Sequence, residues 1–189
     1  MRIAGGRHRG RPLTVPPGRD VRPTSERARQ AVFNILLHGL EGAATMEGAI
    51  VLDVFAGTGA LGLEALSRGA SKAVFIDRDE AALQLIRRNA ASLGEHRNSV
   101  LLRLDAGALP PPPRLAEAPA ILAFLDAPYA AGLTGPALAG LRQKGWLAPG
   151  AVAVVEVGAK EALPPTSGYR LLDERTYGAA RVIFLLLEK

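Results

Sequence analysis

From residue 22 onward the chain alternates between two hydrophobic periods. Residues 49–55, 72–76, 100–104, 120–125 and 151–157 are short, nearly unbroken apolar runs, as strands covered on both faces require. Between them, apolar positions recur at helical spacing. The first such segment follows Pro23-Thr24-Ser25, where Thr24 or Ser25 can cap, and runs through Ala28, Ala31, Val32, Ile35 and Leu36 until Gly39 and Gly42 end it. Others cover 58–67, 79–93 with Gly94 as its stop, and 133–144. Two last strands, about 169–174 and 180–187, flank Thr176-Tyr177-Gly178-Ala179 and predict an antiparallel hairpin. Five β-α units imply a doubly wound α/β sheet, mostly parallel, with an antiparallel C-terminal strand. The proline run 110–113 lacks amide donors and reads as an extended surface connection, or as a polyproline ligand. No repeat or low-complexity linker divides the chain, so residues 23–189 are expected to form one domain and residues 1–22 a small extension to it.

Charge changes the picture of that extension. The net charge is +5, yet residues 1–30 alone hold eight arginines against Asp20 and Glu26, so the remainder carries −1. A glycine- and proline-containing basic arm on a near-neutral body suits a phosphate backbone, which guanidinium groups bind bidentately with release of counterions. Arg7, Arg9, Arg11 and Arg22 are its candidate RNA-binding residues; a solvated basic segment is the alternative. The chain has no cysteine, which excludes disulfides, thiolate metal sites and cysteine nucleophiles. No apolar run approaches the ~18 residues of a membrane span, and the first residues lack the apolar core of a signal peptide, so a soluble, cytoplasmic protein is expected. His8, His38 and His96 are scattered, without metal-ligand spacing, and no metal is expected.

The first strand runs into Asp53-Val54-Phe55-Ala56-Gly57-Thr58-Gly59-Ala60-Leu61-Gly62. Gly57, Gly59 and Gly62 have the spacing that permits a tight turn, close backbone approach to a ligand and helix-to-sheet packing. Asp77, 20 residues after Gly57, ends the second strand at the distance where an acid accepts from both ribose hydroxyls. Together they point to a nucleoside cofactor. A carboxylate at Asp53 would repel a pyrophosphate but suit an ammonium and a sulfonium, which favours S-adenosylmethionine over a nicotinamide dinucleotide. Asp53 could instead bond the loop's own amides. Asp105, ending the third strand, can accept from an adenine amino group or simply initiate a turn.

The fourth strand ends in Asp126-Ala127-Pro128-Tyr129. An exocyclic base amine is a poor nucleophile because its lone pair is delocalised into the ring. A methylase must therefore polarise the N–H bonds and hold the nitrogen in line with the methyl. The Asp126 carboxylate and the Ala127 carbonyl can accept the two amine protons, Pro128 fixes the turn, and Tyr129 can stack on a base drawn out of its helix.

On Arg2-Ile3-Ala4-Gly5-Gly6, Arg22-Pro23-Thr24, Phe33-Asn34-Ile35-Leu36, the long motif 52–70 and Gly145-Trp146-Leu147, nearly the whole chain resembles the RsmD group of bacterial 16S rRNA guanine-N2 methyltransferases. The resemblance implies a Rossmann-like class I methyltransferase fold and S-adenosylmethionine as cofactor. It further implies methylation of guanine 966 of 16S rRNA, met in the assembled or assembling 30S subunit. It places cofactor contacts on Asp53, Ala56, Gly57, Thr58, Gly59, Asp77 and Asp105, with Asn89 a further candidate or a helix cap, and catalysis on Asp126, Ala127, Pro128 and Tyr129. Arg22 and Thr24 fall near the site's mouth. Glu64 and Glu156 read as structural acids and Trp146 as core. The group usually has proline where this chain has Ala127; since only a main-chain carbonyl is needed there, activity is expected to persist with a less rigid site. A nicotinamide oxidoreductase would leave 126–129 and the basic arm unexplained. An adenine-N6 or protein-amide methyltransferase would use the same four-residue segment, and a ribosome-assembly factor without catalysis could use the arm alone.

Overall fold

A computed structural model describes residues 1–16, 23–38, 40, 45–129, 131–163 and 166–189, with backbone alone for Pro23, Thr24 and Ser25. Seven strands form one sheet: β1 (Ile50–Val54), β2 (Lys72–Asp77), β3 (Ser99–Arg103), β4 (Ala120–Asp126), β5 (Leu147–Gly158), β6 (Tyr169–Tyr177) and β7 (Ala180–Leu187). Their spatial order is β3-β2-β1-β4-β5-β7-β6. The first five pair in parallel, while β7 runs antiparallel between β5 and β6. The sheet is thus the doubly wound, mostly parallel one expected of a Rossmann-like fold. Helices α1 (Pro23–His38), α2 (Ala60–Ser67), α3 (Glu80–Leu93) and α4 (Thr134–Gln143) cover it. Val51, Phe75, Phe124, Val154 and Phe184 pack in the layer that holds α1, α2 and α3. The alternate positions, Leu52, Val74, Ala123, Val155 and Leu185, pack with Leu138, Leu141 and Trp146 on the other face. Trp146 is wholly buried there and donates its indole N–H to Pro110 O at 2.7 Å, so the proline run is tied down by its carbonyl.

Helix α3 is punctuated as its sequence requires. Asp79 caps it by accepting from Ala81 N at 2.9 Å, and Gly94 closes it with φ 78°. No helix among the described residues is long and apolar enough to cross a membrane.

The N-terminal residues fold back on themselves. Ile3 and Arg11 share a backbone hydrogen bond, Gly10 N donates to Ile3 O, and Arg2 bridges to Pro12. Ile3 and Leu13 are buried in the core beside α2. Gly6, at φ 74°, lies so close to Ser67 that a Cβ would sit 1.9 Å from the Ser67 carbonyl oxygen, so only glycine fits. Beneath this hairpin Glu64 is fully buried and accepts from Ala4 N (2.8 Å) and Arg68 Nε (2.8 Å), with Arg29 Nε at 3.4 Å. Glu64→Ala would leave the buried Arg29 and the largely covered Arg68 without their counter-charge. We expect it to lower unfolding free energy by about 3 kcal/mol, read from urea denaturation, and a change below about 1 kcal/mol would contradict the role given to this ion network.

Candidate functional site

The carboxyl ends of the parallel strands each deliver an acid to one edge of the sheet. Along a strand side chains alternate, and the paired register then fixes which acids share a face. Asp77 follows Phe75, Asp53 follows Val51, Asp126 follows Phe124 and Glu156 follows Val154, all on the α1–α3 side. The row Asp77, Asp53, Asp126, Glu156 thus crosses β2, β1, β4 and β5 in order. It lines a cleft of about 1400 Å³, whose wall also includes Met1, Thr14, Val15, Pro16 and Arg29 and Gly178 and Ala179 of the β6–β7 turn. Asp105 and 126–129 also line it.

The glycine loop is built from left-handed backbone: Phe55 has φ 64°, Gly57 φ 55° and Gly59 φ 76°. Gly62 serves packing, because a Cβ there would come within 2.4 Å of the Phe75 ring, which holds α2 tight against the sheet. Asp53, 2 % exposed, accepts from Gly62 N at 2.8 Å, so it bonds the loop's own amide while still facing the cleft. Burial pushes its carboxyl up to about 8, the Gly62 amide opposes this, and the charges of Asp126 and Asp77 add to the rise. Asp77 accepts from Gly57 N and Asp79 N, both at 2.9 Å, which fixes the loop and the acid relative to each other. Asp105 accepts from Gly107 N at 2.8 Å.

Asn89 is buried behind the loop. Its Oδ1 accepts from Thr14 N (2.8 Å) and its amide donates to Thr14 O (3.0 Å) and Thr58 O (3.2 Å). The side chain therefore fastens the N-terminal segment to the glycine loop and does not cap α3. Thr58 Oγ1 lies 3.7 Å from the Met1 sulfur, a second tie between the same two segments.

At the end of β4, Asp126 is exposed, Ala127 is buried, and Pro128 and Tyr129 are exposed. Tyr129 donates its hydroxyl to Glu156 Oε1 at 2.8 Å. Burial first, then the Glu156 carboxylate, holds the phenol well above its ordinary range, so it remains a donor. Glu156, read from the sequence as structural, is thus part of the cleft wall. As the lone acid of the run 151–157 it stands out in the sequence, but only the order of the strands shows which acid it neighbours. Of the candidate RNA ligands, Arg9 is exposed, Arg7 is paired with Glu95 at 2.6 Å, and Arg11 donates to Ser92 O at 2.7 Å. These bonds turn the hairpin's guanidinium groups partly toward the body. Arg22 lies outside the described residues. Among the described residues no group of three or more His, Asp or Glu side chains is placed to hold a metal ion.

A family model described as Conserved hypothetical protein 95 matches residues 1–186. The chain is 39 % identical over 166 residues to ribosomal RNA small subunit methyltransferase D of Escherichia coli (strain K12), covering 87 % of this chain and 78 % of that protein. It is 31 % identical over 180 residues to the Haemophilus influenzae protein of the same name, covering 94 % and 89 %. The solved structure of the Escherichia coli "Putative methyltransferase yhhF" superposes with a TM-score of 0.83 at 35 % identity, covering 100 % of this chain and 98 % of that one.

Proposed function

The chain belongs to the Conserved hypothetical protein 95 family, the RsmD-type rRNA methyltransferases, and from that premise we propose that it methylates N2 of guanine 966 in 16S rRNA. The cofactor is S-adenosylmethionine, the substrate is the assembled or assembling 30S subunit, and the setting is the cytoplasm. Residues 23–189 are the catalytic domain in this reading. Residues 1–22 are its RNA-binding extension in this reading, with Arg7, Arg9, Arg11 and Arg22 as the phosphate ligands, Arg7 and Arg11 exchanging part of their bonding to Glu95 and Ser92 O for phosphate oxygens.

The residues present fit the cofactor. A buried acid at Asp53 that is costly to ionise is suited to a cationic neighbour, and Asp77, positioned by two amides, is suited to a ribose diol. Ala56, Gly57, Thr58 and Gly59 would supply the loop backbone against which the cofactor lies, Asp105 would accept from the adenine amine, and Asn89 would hold the loop from behind. When bound, S-adenosylmethionine supplies an electrophilic methyl carbon on a sulfonium. The chain's own groups then orient the nucleophile. Asp126 and the Ala127 carbonyl accept the amine protons, which directs the nitrogen lone pair away from them, and Asp126 takes up the proton lost as the new N–C bond forms. Pro128 holds the turn, and the Tyr129 ring, anchored through its hydroxyl, presents a face to the extruded base.

The observation that carries this reading is Asp126 at the carboxyl end of β4, one strand from Asp53 and on the same face of the sheet. Nucleoside mass spectrometry of 16S rRNA from a strain lacking the protein tests it. Loss of N2-methylguanosine at one position is expected; an unchanged N2-methylguanosine content would overturn the assignment.

A further inference from the structure

We infer that Glu156 is the residue that selects guanine, by accepting the N1–H of the base whose N2 amine Asp126 holds; the inference rests on the guanine-N2 reading above. In the sheet register Asp126 and Glu156 are direct partners on parallel neighbouring strands. That spacing is about 4.8 Å, and both side chains leave the same face. The two carboxylates therefore stand side by side across the mouth of the cleft. A guanine offers two donor groups side by side, the N2 amine and N1–H, and a pair of adjacent acceptors matches them. Adenine, in contrast, places the N1 lone pair beside its amine, and a side-chain amide places its carbonyl oxygen there. Either would face a carboxylate with another acceptor, and once the base covers the two carboxylates a mismatch of this kind rejects the wrong substrate more strongly than a missing methyl group does.

The surroundings of Glu156 fit an acceptor and not a packing role. The Tyr129 hydroxyl donates to Oε1 at 2.8 Å, which fixes the carboxylate plane. Among the described residues no hydrogen bond falls on Oε2. Its partner on the other side, Val182 of β7, is apolar and brings no cation to neutralise it. The same contact sets the Tyr129 ring beside the acceptor, so the group that would stack on the base and the group that would read its edge are locked together.

The test uses small subunits reconstituted with 16S rRNA carrying guanine or 2-aminopurine at the target position. The analogue keeps the N2 amine but has a lone pair at N1. Wild-type enzyme should prefer guanine in kcat/KM by about 100-fold, the size of one hydrogen bond to a charged group. Glu156→Gln can turn its amide to donate to that lone pair. It should narrow the preference to less than about fivefold and exceed wild type in absolute rate on the analogue, a gain that a merely damaged fold cannot give. Glu156→Asp, which keeps the charge, should retain the preference with a raised KM. A wild-type ratio in Glu156→Gln would overturn the inference. Loss of transfer to both bases with cofactor binding intact would do so as well, since it would make Glu156 part of the transfer step. Wild-type transfer to an adenine or an amide, with none to guanine N2, would instead defeat the functional reading itself.

Discussion

Asp126→Ala is expected to lower the single-turnover rate of methyl transfer by at least about 10³-fold while leaving cofactor affinity intact. The amine's lone pair is unavailable until its protons are held, and one preorganised partner of a developing charge contributes about 10²–10³ in rate. Asp126 is also expected to receive the departing proton, so its removal costs more than one hydrogen bond. Asp126→Asn keeps an acceptor oxygen but no anion, and should fall between wild type and alanine. Cofactor affinity should stay within about threefold of wild type in both variants, because the loss of an anion near the cationic cofactor offsets an easier ionisation of Asp53. The Asp126 charge is one cause of the raised Asp53 carboxyl, and without it Asp53 ionises more readily. Single-turnover assays with labelled cofactor and isothermal titration separate the two quantities. Transfer within tenfold of wild type, or cofactor binding lost while transfer persists, would reverse the roles given to these two acids.

Much of this architecture was legible in the residues because the parallel strands are buried on both faces and leave unbroken apolar runs. The exceptions have physical causes. β5 begins at Leu147, four residues before the apolar run at 151, because its pairing with β4 shifts between Ala120 and Leu122 and admits Pro149 and Gly150 as an irregularity within the strand. Turn residues inside a ladder look like a loop. β6 continues to Tyr177 because the chain reverses over Gly178 and Ala179 alone, and its exposed, polar outer face as the sheet's last strand carries no hydrophobic run to mark its end.

The site was legible one strand at a time. Asp53, Asp77, Asp105 and Asp126 could be placed at strand ends, but the neighbour of Asp126 depends on strand order, and nothing local says that β5 lies beside β4. Glu156 therefore looked structural until the register set it beside Asp126. The N-terminal segment was misleading in a different way. Its arginines dominate the text, whereas Ile3 and Leu13 anchor it in the core and Asn89 ties Thr14 to the glycine loop. Single buried residues in a polar stretch have no periodicity to reveal them.

The second large effect lies in the pH dependence of cofactor binding, which Asp53 should control. Its carboxyl, ordinarily near 3.8, is pushed up to about 8, so the folded protein binds a proton there that the unfolded chain has released. Between about pH 4 and pH 8 the folded state thus holds more protons than the unfolded state, and this residue's contribution to stability is full below that window and is lost as pH rises through it. A cation bound in the cleft favours the ionised acid, so the linkage to cofactor runs the other way. Affinity should rise about tenfold per pH unit below 8 and level off above it, with close to one proton released on binding at pH 7. Titration calorimetry in buffers of different ionisation enthalpy counts that proton directly. Asp53→Asn keeps an acceptor for the Gly62 amide but cannot ionise. It should release no proton, bind the cofactor at least about 100-fold more weakly at pH 9, and melt at a higher temperature than wild type at that pH, because the desolvated charge is gone. A pH-independent wild-type affinity, or an Asn variant that binds as tightly at pH 9, would show that the Asp53 carboxylate does not face the cofactor's positive charge.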